Sequence, residues 1–498
     1  MRNLAIKKFK TLDILWYITI ISAFFGASLL PITISGLGTL YLFRIILPIT
    51  FVVWIVRVVK DKEHIFYRSP IILSTYALFV CLLLGGFISL FLALDFRFTF
   101  DRLFNLSLDL LFCFLAINLL PKNFVKNIKL LSGMLIVMQI LAIFETIFFG
   151  IFSSNEGSAR YKLFSLKYMN VSKLSFTNQN DLASSMAFLT IILTWIILLL
   201  ILHKKIDIKP KICYTYLTII NAITFYIACC NLTDLVIYTL FIHSFGLVLY
   251  FLFFNRKAIF IPICILLIFT ALELSPKFKT YYVNIHNAVL IHQHNSLDST
   301  SSSQDSSPDS SPDSSSETLT ELEGLLSKPF VYGENVSLSD KFVTEDNEVN
   351  LESTGGVRLT LIKFGFKTFF NSCGLGVGLG NTETLAAQAG IIPMWGNSGQ
   401  ISLHCFPLRF MSDVGIFLVL PALVLVFLIL RLIFETFKSC LKLKTYNKLG
   451  DLVAILFCAM SFVILSVSSS DAQDLLIMWV FIALSILLIE NLKPNENE

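Results

Sequence analysis

Twelve stretches of this chain are apolar for long enough to cross a lipid bilayer, and this narrows the fold sharply. They lie at about 13–35, 38–58, 69–94, 103–121, 128–152, 181–203, 213–230, 233–254, 257–274, 412–434, 450–469 and 474–492. A spanning helix needs about 20 apolar residues. Inside hydrocarbon a backbone must satisfy its own hydrogen bonds, so only helices and closed barrels cross. The runs are continuous and do not alternate, which excludes a β-barrel. Charged residues make up 14% of the chain, against about 25% in soluble domains. The expected fold is an all-α polytopic integral membrane protein of about twelve transmembrane helices.

The ten cysteines are scattered and form no C-x-x-C pair. Neither a zinc site nor a disulfide framework is expected from them, and in apolar runs cysteine behaves as a small hydrophobe. The basic N-terminus leads into a full-length apolar run without a small-residue cleavage site, so it reads as a retained span, not a signal peptide.

Lysine and arginine in the short loops set the orientation. Arg2, Lys7, Lys8 and Lys10 precede the first span, and Arg57, Lys60, Lys62 and Arg68 follow the second. Lys122, Lys126 and Lys129 follow the fourth, Lys204 and Lys205 the sixth, Arg256 and Lys257 the eighth, and Lys438, Lys442 and Lys444 the tenth. With twelve spans all of these share one side. That side is expected to be cytoplasmic, together with both termini.

The chain then divides into a membrane bundle at 1–274 with nine spans, a large external loop at 275–411, and spans ten to twelve with a cytoplasmic tail at 412–498. Within the loop, 296–323 is a Ser/Asp/Pro tract with near-repeats of SSPD. Such a tract buries too little apolar surface to offset ordering entropy and is expected to be a disordered spacer. A second external loop, 153–180, carries Arg160, Lys162, Lys167 and Lys173 against the single acid Glu156. It is either a tolerated basic loop or a cationic surface for an anionic substrate.

Residues 354–411 form the expected active-site segment. In RLTLIKFGFKTFF (358–370), Leu359, Ile362, Phe366, Phe369 and Phe370 form one helical stripe. Lys363 and Lys367 border it on one side and Arg358 on the other. Such a helix suits the outer membrane interface. Its cations either snorkel there or cradle a lipid-linked phosphate, a task for which a guanidinium is better shaped than an ammonium. GLGVGLGN follows, with Gly374, Gly376, Gly378 and Gly380 at alternate positions before Asn381. The spacing differs from that of a dinucleotide-binding loop. Alternate glycines allow an anion-binding nest, or equally a tight turn or close helix packing. His404 stands eight residues before the tenth span. A neutral histidine there can act as a general base, though lone histidines are more often structural. Arg409 and Asp413 stand at the span entrance, placed to pair with each other.

Three places together resemble the O-antigen ligase and polymerase superfamily, which includes Wzy-type and teichuronic-acid-type polymerases. Asn178-Gln179-Asn180-Asp181-Leu182-Ala183 is similar to the family's N-x-N-x-x-A before a long apolar helix. Arg358, about 16 residues ahead of GLGVGLGN, is similar to its arginine helix and G-x-G-x-G-N. His404, 11 residues ahead of Gly415-Ile416, is similar to its histidine-led entry into the next span. The resemblance implies a GT-C-like glycosyltransferase architecture in a bacterial plasma membrane. It also implies transfer of glycan from a polyprenyl diphosphate carrier, such as undecaprenyl diphosphate, on the outer face during polysaccharide biosynthesis of the cell envelope. Arg358 would bind the diphosphate, His404 would orient or deprotonate the acceptor hydroxyl, and Asn180 would shape the site. Arg160, Lys363, Lys367, Gly376, Gly378, Gly380 and Asn381 are the further substrate-binding candidates. Cys405 stands where the family usually has asparagine. CCNLTDLV (229–236) lacks the family's arginine, and Arg160 is the candidate replacement.

The diphosphate already activates the sugar, so no metal and no soluble cofactor is expected. The protein must hold the leaving group, align the acceptor and accept one proton. Partners implied are carrier-linked oligosaccharide, membrane lipid, a flippase and a chain-length regulator, with no nucleic acid. A polymerase is the first reading and a ligase to another acceptor the second. A lipid-linked sugar transporter is the alternative of another class, disfavoured by few charges within the spans and no internal repeat.

Overall fold

A computed structural model describes residues 2–25, 32–34, 38–40, 42–61, 69–148, 179–205, 208–231, 233–254, 263, 354–388, 406–443, 446–468 and 476–490. These form a helical multi-pass membrane protein. Helices α1 (Arg2–Phe25) and α2 (Leu42–Asp61) are joined through a small antiparallel hairpin, β1 (Ile32–Ile34) and β2 (Gly38–Leu40). There follow α3 (Pro70–Phe91), α4 (Phe96–Leu119), a 3₁₀ turn (Pro121–Asn123), α5 (Phe124–Phe148), α6 (Gln179–Leu202), α7 (Pro210–Cys230) and α8 (Asp234–Phe254). The later part holds α9 (Thr354–Asn371), α10 (Asn381–Gln388), α11 (Phe406–Val414), α12 (Ile416–Leu443), α13 (Tyr446–Ser468) and α14 (Leu476–Glu490).

Nine helices among the described residues are long and apolar enough to cross a membrane, and two shorter apolar helices lie at Thr11–Phe24 and Leu476–Glu490. Eleven of the twelve expected spans therefore coincide with apolar helices. The expected span 257–274 lies outside the described residues, apart from Ile263, as do the tract 296–323 and the basic loop 153–178. Several boundaries differ from expectation. Residues 32–34 are strand and not the end of span one, and the helices of spans four and five begin earlier, at Phe96 and Phe124. Residues 38–40 belong to the hairpin and not to span two. The tenth span begins at Ile416, because Gly415 takes φ +56° and breaks the chain direction between α11 and α12.

Local chemistry sets the helix starts. The Ser69 hydroxyl accepts from the Ile72 N–H at 3.2 Å and Pro70 follows at the first helical position. The Asp95 carboxylate accepts from the Phe98 N–H at 3.1 Å to open α4. Both satisfy N–H groups that a helix start leaves without a partner.

The centre is formed by α4, α6 and α14. The apolar window of α6 is 89% buried and that of α4 78%, while none of the α12 window is buried. α12 packs along α3 at the rim. Its exposed Leu420, Leu423, Phe427 and Leu430 are what a lipid-facing surface requires. Small residues let helices approach closely. A Cβ on Gly85 of α3 would stand 3.0 Å from the Phe417 Cβ, and one on Gly246 of α8 would stand 2.6 Å from the Phe457 ring. Phe457 is itself stacked on Trp195, with centroids 5.8 Å apart. Gly246→Leu is therefore expected to destabilise the α8–α13 contact by about 1–3 kcal/mol through overpacking. A lower unfolding midpoint of the detergent-purified protein checks this; an unchanged midpoint contradicts the packing described.

The two ends of the bundle differ. One carries Arg57, Lys60, Lys122, Lys126, Lys204, Lys205 and Lys438 at helix ends. There the His203 imidazole lies 2.9 Å from the Asp451 carboxylate, joining α6 to α13. The other end carries α9, α10, α11 and the glycine-rich turn.

Candidate functional site

The turn 372–380 joins α9 to α10 and is built on left-handed backbone. Cys373 has φ +52°, and Gly374, Gly376, Gly378 and Gly380 have φ between +77° and +104°. The need for glycine is sharpest at Gly376, where a Cβ would stand 2.4 Å from the Asp413 carbonyl oxygen. This closeness allows the turn to hydrogen-bond the end of α11 directly. Val377 N–H donates to the Ser412 carbonyl at 2.9 Å, Gly378 N–H to the Asp413 carbonyl at 2.8 Å, and Ile416 N–H to the Gly374 carbonyl at 2.9 Å.

The Asp413 side chain completes the lock. Its carboxylate accepts from Gly380 N–H at 2.9 Å, Thr382 N–H at 3.2 Å and the Thr382 hydroxyl at 2.5 Å. Asn381 fastens the same turn to the loop between α3 and α4. Its amide donates to the Leu92 carbonyl at 2.8 Å and the Val377 carbonyl at 2.7 Å, and its oxygen accepts from Leu94 N–H at 3.1 Å.

Beneath the turn lies a buried charge cluster. Glu383, fully buried, meets Arg102 of α4 at 3.1 Å and Arg409 of α11 at 3.2 Å. Arg409 also lies 3.8 Å from Asp413. The Arg102 guanidinium rests over the Phe98 ring, 4.8 Å from its centroid. Two guanidinium groups thus face two carboxylates, which makes burial of all four tolerable. Burial pushes the Asp413 carboxyl above the ordinary carboxylate range, while Arg409, the Thr382 hydroxyl and the Gly380 and Thr382 N–H groups pull it back. The surrounding donors suit the ionised form.

The anion-nest and close-packing readings of GLGVGLGN are distinguished by these bonds. The N–H of Gly376 donates to the Ser372 hydroxyl, that of Gly378 to the Asp413 carbonyl and that of Gly380 to the Asp413 carboxylate. All three are engaged within the protein, and the one anion among their acceptors is the chain's own Asp413 carboxylate. The geometry favours close packing, with Gly376, Gly378, Gly380 and Asn381 as positioning residues.

Against this platform α9 packs on α11. A Cβ on Gly365 would stand 2.9 Å from Leu408, so the α11-facing side of α9 is its small-residue side, with Thr368 also buried. The predicted apolar stripe faces elsewhere: Phe366 and Phe370 are exposed. That suits contact with lipid at a membrane surface. Lys363 is exposed, and Lys367 is half-buried with its ammonium lowered from the ordinary value by burial.

Position 358 lies seven residues, two helical turns, before Gly365 on the same helix. Arg358 is described for its backbone only, as is Asn180 in the first turn of α6. His404 and Arg160 lie outside the described residues. In sequence, His404 is two residues before α11. The structure therefore brings the glycine turn, Asn381, Arg409 and Asp413 together and adds Arg102, Thr382 and Glu383, which the sequence did not single out. It adds Arg44 as well: at this end of α2, its guanidinium donates to Asn105 of α4 at 2.7 Å. The pairing of Arg409 with Asp413 is as their spacing suggests. Among the described residues no group of three or more His, Cys, Asp or Glu is placed to hold a metal ion.

The class these features define is a helical multi-pass membrane protein with a rigid polar platform at one end. No protein-family model matches the chain, and no curated protein sequence matches it.

Proposed function

We propose that the chain is a cell-envelope polysaccharide polymerase that transfers glycan from a polyprenyl diphosphate carrier to a carrier-linked repeat. The observation that carries this reading is the lock between the glycine turn and α11. It fixes α9, which bears Arg358, beside the helix that starts two residues after His404. The lock stands at the end of the bundle opposite the basic helix ends, the outer side when those ends face the cytoplasm. Arg358 on α9 binds the diphosphate, and His404 accepts the acceptor proton. Lys363 and Lys367 add positive charge along the same helix, and Asn180 opens α6. Arg160 is the candidate for the cation that CCNLTDLV lacks, and Arg44, held by Asn105 of α4, is a further cation at this end of the bundle. A GT-C-like arrangement, a bacterial plasma membrane and an outward-facing loop complete the proposal.

Glycan profiling of cells lacking the chain tests it. A polymerase defect leaves single repeats on the carrier. Long carrier-linked polymer marks a ligase instead.

A second reading, transport of a lipid-linked sugar, is favoured by one observation. Asp109, Glu145 and His243 are buried within α4, α5 and α8, and ionisable groups at such depth mark transport pathways. Absence of external repeats in the same cells supports that reading over transfer.

A further inference from the structure

We infer that the seam between α6, α8 and α13 is a hydrated half-channel, a binding site for a file of water molecules that leads from the platform end of the bundle to His243 in the middle of α8. It does not depend on glycan transfer. Three helix faces meet there. Ser184, Ser185, Phe188 and Trp195 share one side of α6, His243, Gly246 and Tyr250 one side of α8, and Gly450, Phe457 and Ser461 one side of α13. Contacts fix the register. Phe188 meets Phe462 with ring centroids 6.3 Å apart, and Trp195 meets Phe457 at 5.8 Å and His243 at 5.7 Å. A Cβ on Gly246 would stand 2.6 Å from the Phe457 ring, and one on Gly450 3.5 Å from the Tyr250 ring. α13 therefore runs antiparallel to both neighbours. Ser461, one turn beyond Phe457, comes level with His243, one turn before Gly246.

Two observations point to an occupant. The first is unsatisfied polarity. Ser184, Ser185, Trp195, His243 and Ser461 are all fully buried. Yet the three hydroxyls, the indole N–H and both imidazole nitrogens have no hydrogen-bond partner among the described residues. Polar groups left open in this way are costly in any interior, and most of all within a bilayer. The second is their confinement to one seam. On the α5 and α7 side of α6, the Thr190 and Thr224 hydroxyls lie 2.7 Å apart, Asn221 donates to the Thr194 hydroxyl at 3.1 Å, and Gln139 donates to Thr224 at 2.9 Å. Polar groups there complete one another.

The chemistry selects water. An indole only donates, a neutral imidazole offers one donor and one acceptor, and a hydroxyl does both. An anion would serve only the donors and a cation only the acceptors, whereas a buried water does both and makes about three bonds. Ser184 and Trp195 are about 16 Å apart along the helix axis, so one water cannot serve them all. The file starts at the platform end, where Ser184 and Ser185 lie in the second turn of α6. It stops at His243, because the next layer is closed by rings. Trp195 packs edge-on with Tyr250 at 5.8 Å, and the Tyr250 hydroxyl donates to the Leu198 carbonyl at 3.3 Å.

The test is cysteine labelling of the full chain in lipid vesicles by a small, charged methanethiosulfonate, read by mass spectrometry of the modified peptide. The reagent needs an ionised thiol, and hence water. Ser185→Cys and Ser461→Cys, nearly matched in size to the residues they replace, are compared with two buried controls. Met186→Cys lies on the far side of α6, and Ala454→Cys lies on the same side of α13 as Phe457 but one turn further in. Both serine positions are expected to react at least about tenfold faster than either control, since a thiol in apolar surroundings is held un-ionised. A Ser461→Cys protein as slow as Met186→Cys means a dry seam and overturns the site. An Ala454→Cys protein as fast as Ser461→Cys means a path continuing past the rings and overturns the half-channel. If a serine variant fails to fold, exchange of the Trp195 indole proton with D₂O in the unsubstituted chain decides: fast exchange supports a wet seam, and protection equal to that of the buried backbone overturns it.

Discussion

Asp413→Ala is expected to release the glycine-rich turn from α11. The carboxylate is the acceptor for two backbone N–H groups and one hydroxyl, all buried. Alanine leaves Gly380 N–H and Thr382 N–H without that acceptor and removes one of the two carboxylates facing Arg409. Breaking a buried charge arrangement by removing one member costs about 3–5 kcal/mol. That is a large fraction of a typical folding stability. The expected result is a large drop in the unfolding midpoint, with loss of the proposed transfer activity. Asp413→Asn is expected to be intermediate, since its oxygen still accepts while its NH₂ faces another donor. An Asp413→Ala protein that melts like wild type would show that the turn holds without this lock.

The second large effect is expected at Gly376. Its φ of +85° alone costs a substituted L-residue roughly 1–2 kcal/mol. A Cβ would also meet backbone, not a movable side chain, at 2.4 Å from the Asp413 oxygen and 2.6 Å from the Gly415 nitrogen. Gly376→Ala must therefore push the turn off α11 and should destabilise the protein by more than about 3 kcal/mol. Gly374 is the internal control. Its φ is also positive, but a Cβ there meets only the Phe369 ring at 3.5 Å. Gly374→Ala should cost only the backbone term. Thermal unfolding of the two variants side by side checks the order; equal midpoints would contradict the described contact.

Much of the membrane architecture was legible because lipid imposes a simple demand, continuous apolar runs of a set length. The less legible parts are those where interior helices obey other rules. The stretch 103–121 is a short candidate flanked by Asp101 and Arg102. Yet α4 begins earlier, at Phe96, and is among the most buried helices. Its polar residues are accommodated because they face partners in the protein interior: Arg102 meets Glu383, and Asn105 meets Arg44. Such pairing joins positions 281 residues apart in the sequence for Arg102 and Glu383, and local periodicity carries no trace of it. Nothing in the sequence around Glu383 marks it as a partner of Arg102.

The glycine turn shows the same division. Alternate glycines announced unusual backbone, and Arg409 with Asp413 announced a pair by their four-residue spacing. That the two features lock onto each other follows from Gly415, whose left-handed backbone separates α11 from α12. An apolar run extending across that glycine concealed the break. On α9 the stripe of Leu359, Ile362 and the phenylalanines read as a membrane-interface surface, and Phe366 and Phe370 are exposed; the packed side, formed by Gly365 and Thr368, carried no such signal. At a lipid boundary, large apolar residues are stable facing outward, so hydrophobicity alone does not identify the buried side.

The central claim is glycan transfer at the platform end. Its most direct test is the purified protein in lipid vesicles, supplied with one polyprenyl-diphosphate-linked repeat and followed by product size. Wild type is expected to give a ladder of carrier-linked oligomers. His404→Ala and Arg358→Ala, present at equal and folded levels, are expected to give none. A wild-type protein that leaves the single repeat unextended under these conditions, or a ladder that survives both substitutions, would contradict the account.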